Sequence, residues 1–305
     1  MASSESPQFL AVLVCRDEAD VLGECLEETL KWANGVWIFD TGSTDGTWEI
    51  VQTFAQRDPR VHPIARQPVV FQNSLRGWVF EQMREHARDG DWILRIDADE
   101  FYPTSPPDFV RQSLRAHESM VHRQCYDFKL LQTEVDAYPG DADILERRAV
   151  SVRQRMRACH ALTIFEPRMF RYRSTMKWSP NNSFPFFAGY AAKERIPVFH
   201  YPHRDRLQLQ ARARLRAVMA RVYETEETTH WKTEDWQKFV FQPDDPSLLH
   251  WPENEPFPHV TYSNHIPPLH KRLVQRLIYG SPLVRMLDQR KTGFTPDYAP
   301  TPLPP

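Results

Sequence analysis

The chain has 305 residues and a formal net charge of −2 at pH 7, enough length for one large domain or a domain with a subdomain. Many Pro, Trp and Phe and few Gly leave it in the ordinary globular class; four cysteines without C-x-x-C spacing argue against a zinc site or disulfide framework. Charge is uneven, since seventeen Lys and Arg lie between Arg147 and Arg221 against only Glu166, Glu194 and Asp205. An anionic substrate, a membrane surface or nucleic acid would use such an excess, and so would a solvated helix face with internal ion pairs.

Met1 to Pro7 carries neither a basic region nor an apolar run, so no signal peptide is expected. No window of about eighteen apolar residues occurs, so no spanning helix is expected. The cysteine usage suits a reducing cytosol, with peripheral attachment to the inner membrane face left open.

Phe9 to Cys15 is an uninterrupted apolar run, expected for a central parallel strand covered on both faces. Arg16-Asp17-Glu18 ends it, and three- and four-residue apolar spacing predicts a helix from Ala19 to Ala33. Val36 to Phe39 reads as a second strand ending on Asp40. Thr41-Gly42-Ser43-Thr44-Asp45-Gly46-Thr47 is then a turn opening a helix that runs to Ala55, with Asp45 expected to cap the turn. Val61 to Ala65 is a third strand and Ser74 to Arg88 a helix. Trp92 to Ile96 is a buried strand that runs into Asp97-Ala98-Asp99-Glu100. Side chains two apart on an extended chain point the same way, so Asp97 and Asp99 can converge. Two carboxylates held together favour a cation between them, and Mg²⁺ or Mn²⁺ suits oxygen ligands completed by phosphate.

After Pro106 the alternation weakens. A helix is expected from Asp108 to Ala116, a strand from Cys125 to Thr133, and a surface loop from Tyr138 to Asp143. Arg168 to Tyr172 and Ile196 to Tyr201 read as strands, with an aromatic loop, Trp178 to Phe187, between them. Asp205 to Glu227 reads as a long helix with Leu215, Val218, Met219 and Val222 inward and arginines outward. One more helix is expected from Leu269 to Gln289, then a Pro-rich tail, extended or disordered, from Thr295. The fold class is therefore α/β, an open sheet with crossover helices, whose strand ends at Glu18, Asp40 and Asp97 share one rim. No G-x-G-x-x-G follows the first strand, which disfavours a dinucleotide fold of that kind.

Taken together, Arg16-Asp17-Glu18, Asp40-Thr41-Gly42-Ser43-Thr44-Asp45-Gly46-Thr47 and Asp97-Ala98-Asp99-Glu100 resemble the family 2 glycosyltransferases with a GT-A fold. The resemblance implies a Rossmann-like nucleotide-sugar-binding half at 1–105, an acceptor-side half of the same domain at 106–230, and a C-terminal helical and Pro-rich extension at 231–305. It implies transfer, with inversion, from a UDP- or GDP-type sugar to an acceptor hydroxyl on a glycan, lipid carrier or protein, with Mn²⁺ or Mg²⁺ as cofactor. Nucleic acid is not expected as a partner. By the same resemblance, Glu18 lies near the ribose, Asp40 near the base, and Asp97 and Asp99 at the ribose and metal-bound diphosphate. Asp99 is the more direct ligand of the pair. Arg76 is kept as a diphosphate contact, Arg16 belongs to the donor-binding set, and His200 matches a further metal ligand.

The catalytic base departs from the family's pattern: Trp178-Ser179-Pro180-Asn181-Asn182-Ser183 stands where relatives carry acids. Glu166 is the candidate base by proximity in sequence alone. That gap keeps a second reading open, a sugar-nucleotide-binding or scaffold protein on a degenerate transferase fold. A D-x-D phosphatase is disfavoured because the motif follows a later strand and lacks the hydroxyl residue that chemistry needs. The loop aromatics Trp178, Phe184, Phe186 and Phe187 are read either as a sugar platform or as a small core. The arginine helix is read as lipid-facing or as paired with the acidic first half.

Overall fold

A computed structural model describes residues 6–164, 166–222, 235–251, 268–295 and 297–303. Strand β1 (Phe9–Cys15) is buried at every position, as its unbroken apolar run requires. Helix α1 (Leu22–Thr29) is shorter than expected, because Glu18 to Val21 form the turn that enters it. Strand β2 (Gly35–Asp40), helix α2 (Thr47–Arg57), strand β3 (Val61–Arg66), helix α3 (Leu75–Met83) and strand β4 (Trp92–Ile96) follow as predicted, within a few residues.

Strands β1, β2, β3 and β4 are parallel in the order β4-β1-β2-β3. Register pairs Cys15 with Asp40 and Leu13 with Ile96, so these strands end at one rim. One face packs Leu13, Leu22, Leu26, Ile38 and Leu94 together; the other packs Val12, Phe39, Val79, Phe80 and Ile93 against α3.

The chain continues through β5 (Glu100–Phe101), α4 (Pro106–Ser113), β6 (Met120–Phe128), β7 (Leu130–Leu131), α5 (Gln132–Ala137), α6 (Asp141–Arg147), α7 (Val152–Arg155), β8 (Ala158–Leu162), β9 (Pro167–Arg171) and β10 (Ile196–His200). The strand expected from Cys125 to Thr133 begins earlier and stops at Phe128, and part of the expected loop at Tyr138 to Asp143 is helical. Helices α5, α6 and α7 and strand β8 went unpredicted. They are short, and their stability comes from contacts such as Arg147 with Glu134 and Arg153 with Glu24, which leave no apolar period. β9 runs antiparallel between β4 and β6, so the second half of the chain extends the sheet of the first. β10 pairs parallel with β6 and antiparallel with β5, bringing His200 beside Glu100 and Asp127.

Helix α8 (Arg206–Val222) carries Met219 inward, but Val218 is 46% exposed and Arg212 and Arg216 turn inward instead. The part of this helix expected beyond Val222 lies outside the described residues. Strands β11 (Val240–Phe241) and β12 (Leu249–His250) pair with β7 and β8. The single helix expected from Leu269 to Gln289 is two, α9 (Leu269–Tyr279) and α10 (Leu283–Gln289), broken at Gly280-Ser281-Pro282 because glycine and proline interrupt the hydrogen-bond ladder. The tail is docked: Val70 donates to the Thr301 carbonyl at 2.9 Å and Leu303 to the Pro68 carbonyl at 2.8 Å. Gly42, at φ +99, belongs to the same neighbourhood, where a Cβ would stand 2.7 Å from Pro68 Cα.

Trp178 settles one open reading. It is fully buried, its indole N–H donates to the Asn182 carbonyl at 2.9 Å, and its ring meets Phe80 and Phe170 at 5.7 and 5.8 Å. It is a core residue, whereas Phe184 lies against Arg95.

His122 on β6 gives a pH test. Burial, reinforced by Arg195, lowers its pKa to about 4, below the usual histidine value. The folded state therefore binds fewer protons than the unfolded state between pH 4 and 6.5, and stability falls as pH drops through that window. His122→Asn is expected to flatten the decline in melting temperature over that range; an unchanged decline would assign it to other groups.

Candidate active site

A cavity of about 550 Å³ opens at the carboxyl ends of β1 and β4, roofed by α8. Its lining brings together Arg16, Glu18, Arg76, Asp97, Asp99, Glu166 and His200, seven of the eight residues expected from sequence. Those residues span 185 positions of the chain, and the parallel register of β1 and β4 with the β5–β10 pairing unites them.

Asp40 is the exception. It is fully buried and does not line the cavity; its Oδ1 accepts from the amides of Gly42 and Ser43 at 2.8 and 2.7 Å. Here it organises the turn after β2, while its Oδ2 is buried with no hydrogen-bond partner among the described residues. Asp45 holds the same turn as expected, accepting from Thr47 N and Ala19 N at 3.0 Å each. Arg16 spends Nη1 on the Thr41 carbonyl at 2.7 Å, tying the two loops together.

Asp99 and His200 form one half of the site. His200 Nε2 lies 3.6 Å from Asp99 Oδ1, and His200 Nδ1 lies 2.8 Å from Asp127 Oδ1. Burial opposes charge on the imidazole, yet Asp99 and Asp127 hold its pKa well above the ordinary histidine value. Burial would likewise raise Asp99, but His200, Arg212 and Arg204 hold its carboxyl well below the carboxylate range. Arg212 Nη1 is 3.4 Å and Arg204 Nη1 3.7 Å from Asp99 Oδ2. Glu18 is different: burial outweighs its Arg204 partner and pushes its pKa up to about 7.

These residues can be tested against a divalent ion. The raised pKa leaves Nε2 protonated beside Asp99; an ion placed there would displace that proton, with Nδ1 kept 2.8 Å from Asp127 Oδ1. Asp99 and His200 therefore fit the ion. At Asp97, Arg76 engages Oδ1 and Arg168 lies 3.2 Å from Oδ2, so an ion there would compete with two guanidinium groups. Cys125, Asp127 and His200 also cluster, with potential ligand atoms within 4.8 Å of one another. The Lys129 ammonium already occupies Asp127, so a cation there would meet a positive neighbour.

Three guanidinium groups surround Glu166, the candidate base. Arg95 Nη2 lies 3.3 Å from Oε1, and Arg123 Nη2 and Arg168 Nη2 lie 2.5 and 3.4 Å from Oε2. Burial raises its pKa, but Arg168, Arg123 and Arg95 together pull it below the ordinary value, the reverse of what a proton acceptor needs. Glu166→Gln is expected to leave turnover within about tenfold of wild type, the scale of ~1.4 kcal/mol. A loss of about 10³-fold with nucleotide binding intact would restore the base role.

Sequence reading missed Arg95, Arg123, Arg168, Arg212, Arg216 and Asp127 as cavity or near-cavity groups. A signal existed for Arg95 and Arg168: charged residues inside strands buried along most of their length are rare unless they face a polar site. No helical period distinguishes Arg212 and Arg216 from the outward Arg214 and Arg221 without knowing which face α8 turns to the cavity.

Residues 11–121 match the family model described as Glycosyl transferase family 2. A curated relative, the succinoglycan biosynthesis protein ExoA of Rhizobium meliloti (strain 1021), is 38% identical over 109 residues, 34% of this chain and 32% of that protein. The chain thus spans about a third of the length of the curated relative it matches. Among solved structures, the mannosyltransferase PcManGT from Pyrobaculum calidifontis in complex with GDP-Man and Mn²⁺ aligns over 75% of this chain and 70% of that one. Its identity is 13% and its TM-score 0.39. 4-Diphosphocytidyl-2C-methyl-D-erythritol synthase aligns over 90% and 99%, at 12% identity and a TM-score of 0.31. At those scores the likenesses assign neither substrate nor metal to this chain.

Proposed function

We infer that this chain, whose residues 11–121 belong to the family 2 glycosyltransferases, moves a sugar from a UDP- or GDP-type donor to an acceptor hydroxyl. The observation that carries the reading is the convergence of Glu18, Asp97, Asp99 and His200 with Arg76 and Arg212 in one cavity at the strand ends. Such a site suits a nucleotide diphosphate, whose departure as an anion is the costly step. Asp99 and His200 would hold Mn²⁺ or Mg²⁺, and the ion would neutralise the departing diphosphate. Arg76, buried and fixed by Asn73 at 3.0 Å and by Asp97, presents a preset positive charge at the start of α3. Arg212 reaches in from α8, on the opposite wall. Glu18 and Asp97 are assigned to the ribose side, in keeping with their places at the ends of β1 and β4.

The outcome is proposed to be inverting, and the acceptor a glycan, free or lipid-carried. The relative named for succinoglycan biosynthesis supports a glycan acceptor. A panel of UDP- and GDP-sugars tests the activity by release of UDP or GDP with Mn²⁺ present. One donor is expected to be turned over and its nucleotide to raise the melting temperature. A melting shift without release from any donor, with acceptor glycans present, would favour the sugar-nucleotide-binding scaffold instead. Neither shift nor release at millimolar ligand would end the donor reading.

A further inference from the structure

One wall of the cavity carries a charge imbalance. Arg76, Arg95, Arg123 and Arg168 surround Asp97, Glu100 and Glu166, four guanidinium groups against three carboxylates. Arg95 and Arg168 are each 1% exposed, and Nε and Nη1 of both have no hydrogen-bond partner among the described residues. Nε of Arg76 and of Arg123 is likewise without one, and all four arginines line the cavity. Buried guanidinium N–H groups without acceptors are costly, and an uncompensated buried charge is costlier. Burial lowers the pKa of Arg95 to about 9, with Arg76 and Arg168 adding to the effect, while burial raises Glu100 and weakens it as a counter-charge. The diphosphate is assigned to the Asp99, His200 and Arg212 end and Arg76, so it leaves Arg95, Arg123 and Arg168 unexplained. The Arg95 guanidinium carbon lies over the Phe184 ring, 4.3 Å from its centroid, which holds that side chain in place beside the cavity.

We propose that Arg95, Arg123 and Arg168 bind an anionic substituent, carboxylate or phosphate, of a sugar held in the cavity, so that the donor sugar or the acceptor is an acidic sugar. The identification of a sugar rests on the glycosyltransferase reading; the anion site does not. The unpartnered donors, Nε and Nη1 of Arg95 and Arg168 and Nε of Arg123, offer single charge-assisted hydrogen bonds from separate guanidinium groups to the oxygens of such a substituent. Calorimetry with methyl glucuronide against methyl glucoside, and glucose 6-phosphate against glucose, without nucleotide, tests the acceptor source. UDP-glucuronate against UDP-glucose, with Mn²⁺, tests the donor source. In at least one arm the anionic member is expected to bind at least ~10-fold tighter, a preference that Arg95→Met removes while UDP or GDP still binds. Equal binding of neutral and anionic members in every arm, or a preference that survives in Arg95→Met, overturns the proposal. Failure of both UDP and GDP to bind would instead defeat the donor reading, since the nucleotide-free arm still reports on the anion site. Should Arg95→Met not fold, Arg95→Lys serves, with weakened preference expected because one ammonium cannot both keep the Glu166 contact and replace the Nε and Nη1 donors.

A separate observation points to a membrane surface. On α9, Leu269, Leu273, Val274 and Leu277 are 70, 58, 56 and 69% exposed, and on α10 Met286 is 55% exposed. At ~100° per residue the four α9 side chains fall within an arc of about 140°, flanked by Lys271 on one side and Arg276 on the other. From Leu269 to Lys291 the sequence has Lys271, Arg272, Arg276, Arg285, Arg290 and Lys291 against the single acid Asp288, itself buried and paired with Arg173 at 3.1 Å. The helices are fastened to the body: Asp288 also accepts from Thr175 at 2.8 Å, and Arg272 Nε lies 3.4 Å from the Tyr190 hydroxyl. The apolar stripe is therefore presented outward on a fixed support. No helix among the described residues is long and apolar enough to cross a membrane.

We infer that the stripe lies in the headgroup region of an anionic bilayer, its leucines inserted and its lysines and arginines on the phosphates. Flotation of the full chain with phosphatidylcholine vesicles, with and without 30% phosphatidylglycerol (roughly a physiological anionic fraction), is the test. Binding to the anionic vesicles is expected to exceed binding to neutral ones by at least ~10-fold, and Leu273→Glu with Leu277→Glu to remove it without lowering the melting temperature. Equal flotation of that variant, or none of wild type, overturns the inference. A lipid-free dimer that the same substitutions dissolve would assign the stripe to a second copy and equally overturn it.

Discussion

Asp99→Asn is expected to lower the proposed transfer rate by about 10³-fold, equivalent to ~4 kcal/mol of barrier, and to abolish the melting shift expected from nucleotide diphosphate with Mn²⁺. The amide keeps the shape of the side chain and removes the charge that faces His200 at 3.6 Å. Without that charge, Arg212 and Arg204, at 3.4 and 3.7 Å, face the ion's position unopposed. The ion then loses both a ligand and its electrostatic support. Asp97→Asn tests the division of roles between the two acids. Because arginines already engage both Asp97 oxygens, its effect on metal-dependent binding is expected to be smaller. An Asp99→Asn protein that retains the Mn²⁺-dependent shift, or loses it no more than Asp97→Asn does, would remove Asp99 from the ion.

Arg204→Met is expected to destabilise the fold by about 3–5 kcal/mol at pH 8, the cost typical of stranding a buried partner. Arg204 is fully buried; its Nε reaches Asp20 at 2.7 Å, its Nη1 the Tyr201 carbonyl at 2.9 Å, and its Nη2 pairs with Glu18. Removing it leaves two buried acids with less compensation. Burial already pushes Glu18 up to about 7 against the pull of Arg204, and without the arginine its pKa rises further. The folded variant then binds more protons than the unfolded chain from about pH 5 to 8, so its stability falls as pH rises. Urea unfolding should show a smaller deficit at pH 5 than at pH 8. A deficit under about 1 kcal/mol at pH 8, or one independent of pH, would show that the arginine is not what keeps those acids buried.

Much of the first half was legible because its signals are local. The apolar runs of β1 and β4, the Asp40–Thr47 turn and the Asp97–Asp99 pair each encode their geometry within a few residues, and parallel α/β connectivity places strand ends together. The same locality explains the errors. Gly280 and Pro282 broke a helix that apolar spacing alone had joined, and Val218 was placed inward by a period that Arg212 and Arg216 override. Arg212 is held at the cavity by Asp99, an acid far away in sequence.

By itself, then, the sequence determined the α/β class, the order of its first strands and the acids that close them, since burial period and turn chemistry are short-range properties of the chain. The tertiary structure alone decided what those acids meet. It turned Asp40 to its own loop, wrapped Glu166 and Asp97 in guanidinium groups, and set His200 between Asp99 and Asp127. Charge is compensated by whichever partner folding brings within a few ångströms, and that distance is set by strand pairing across more than a hundred residues.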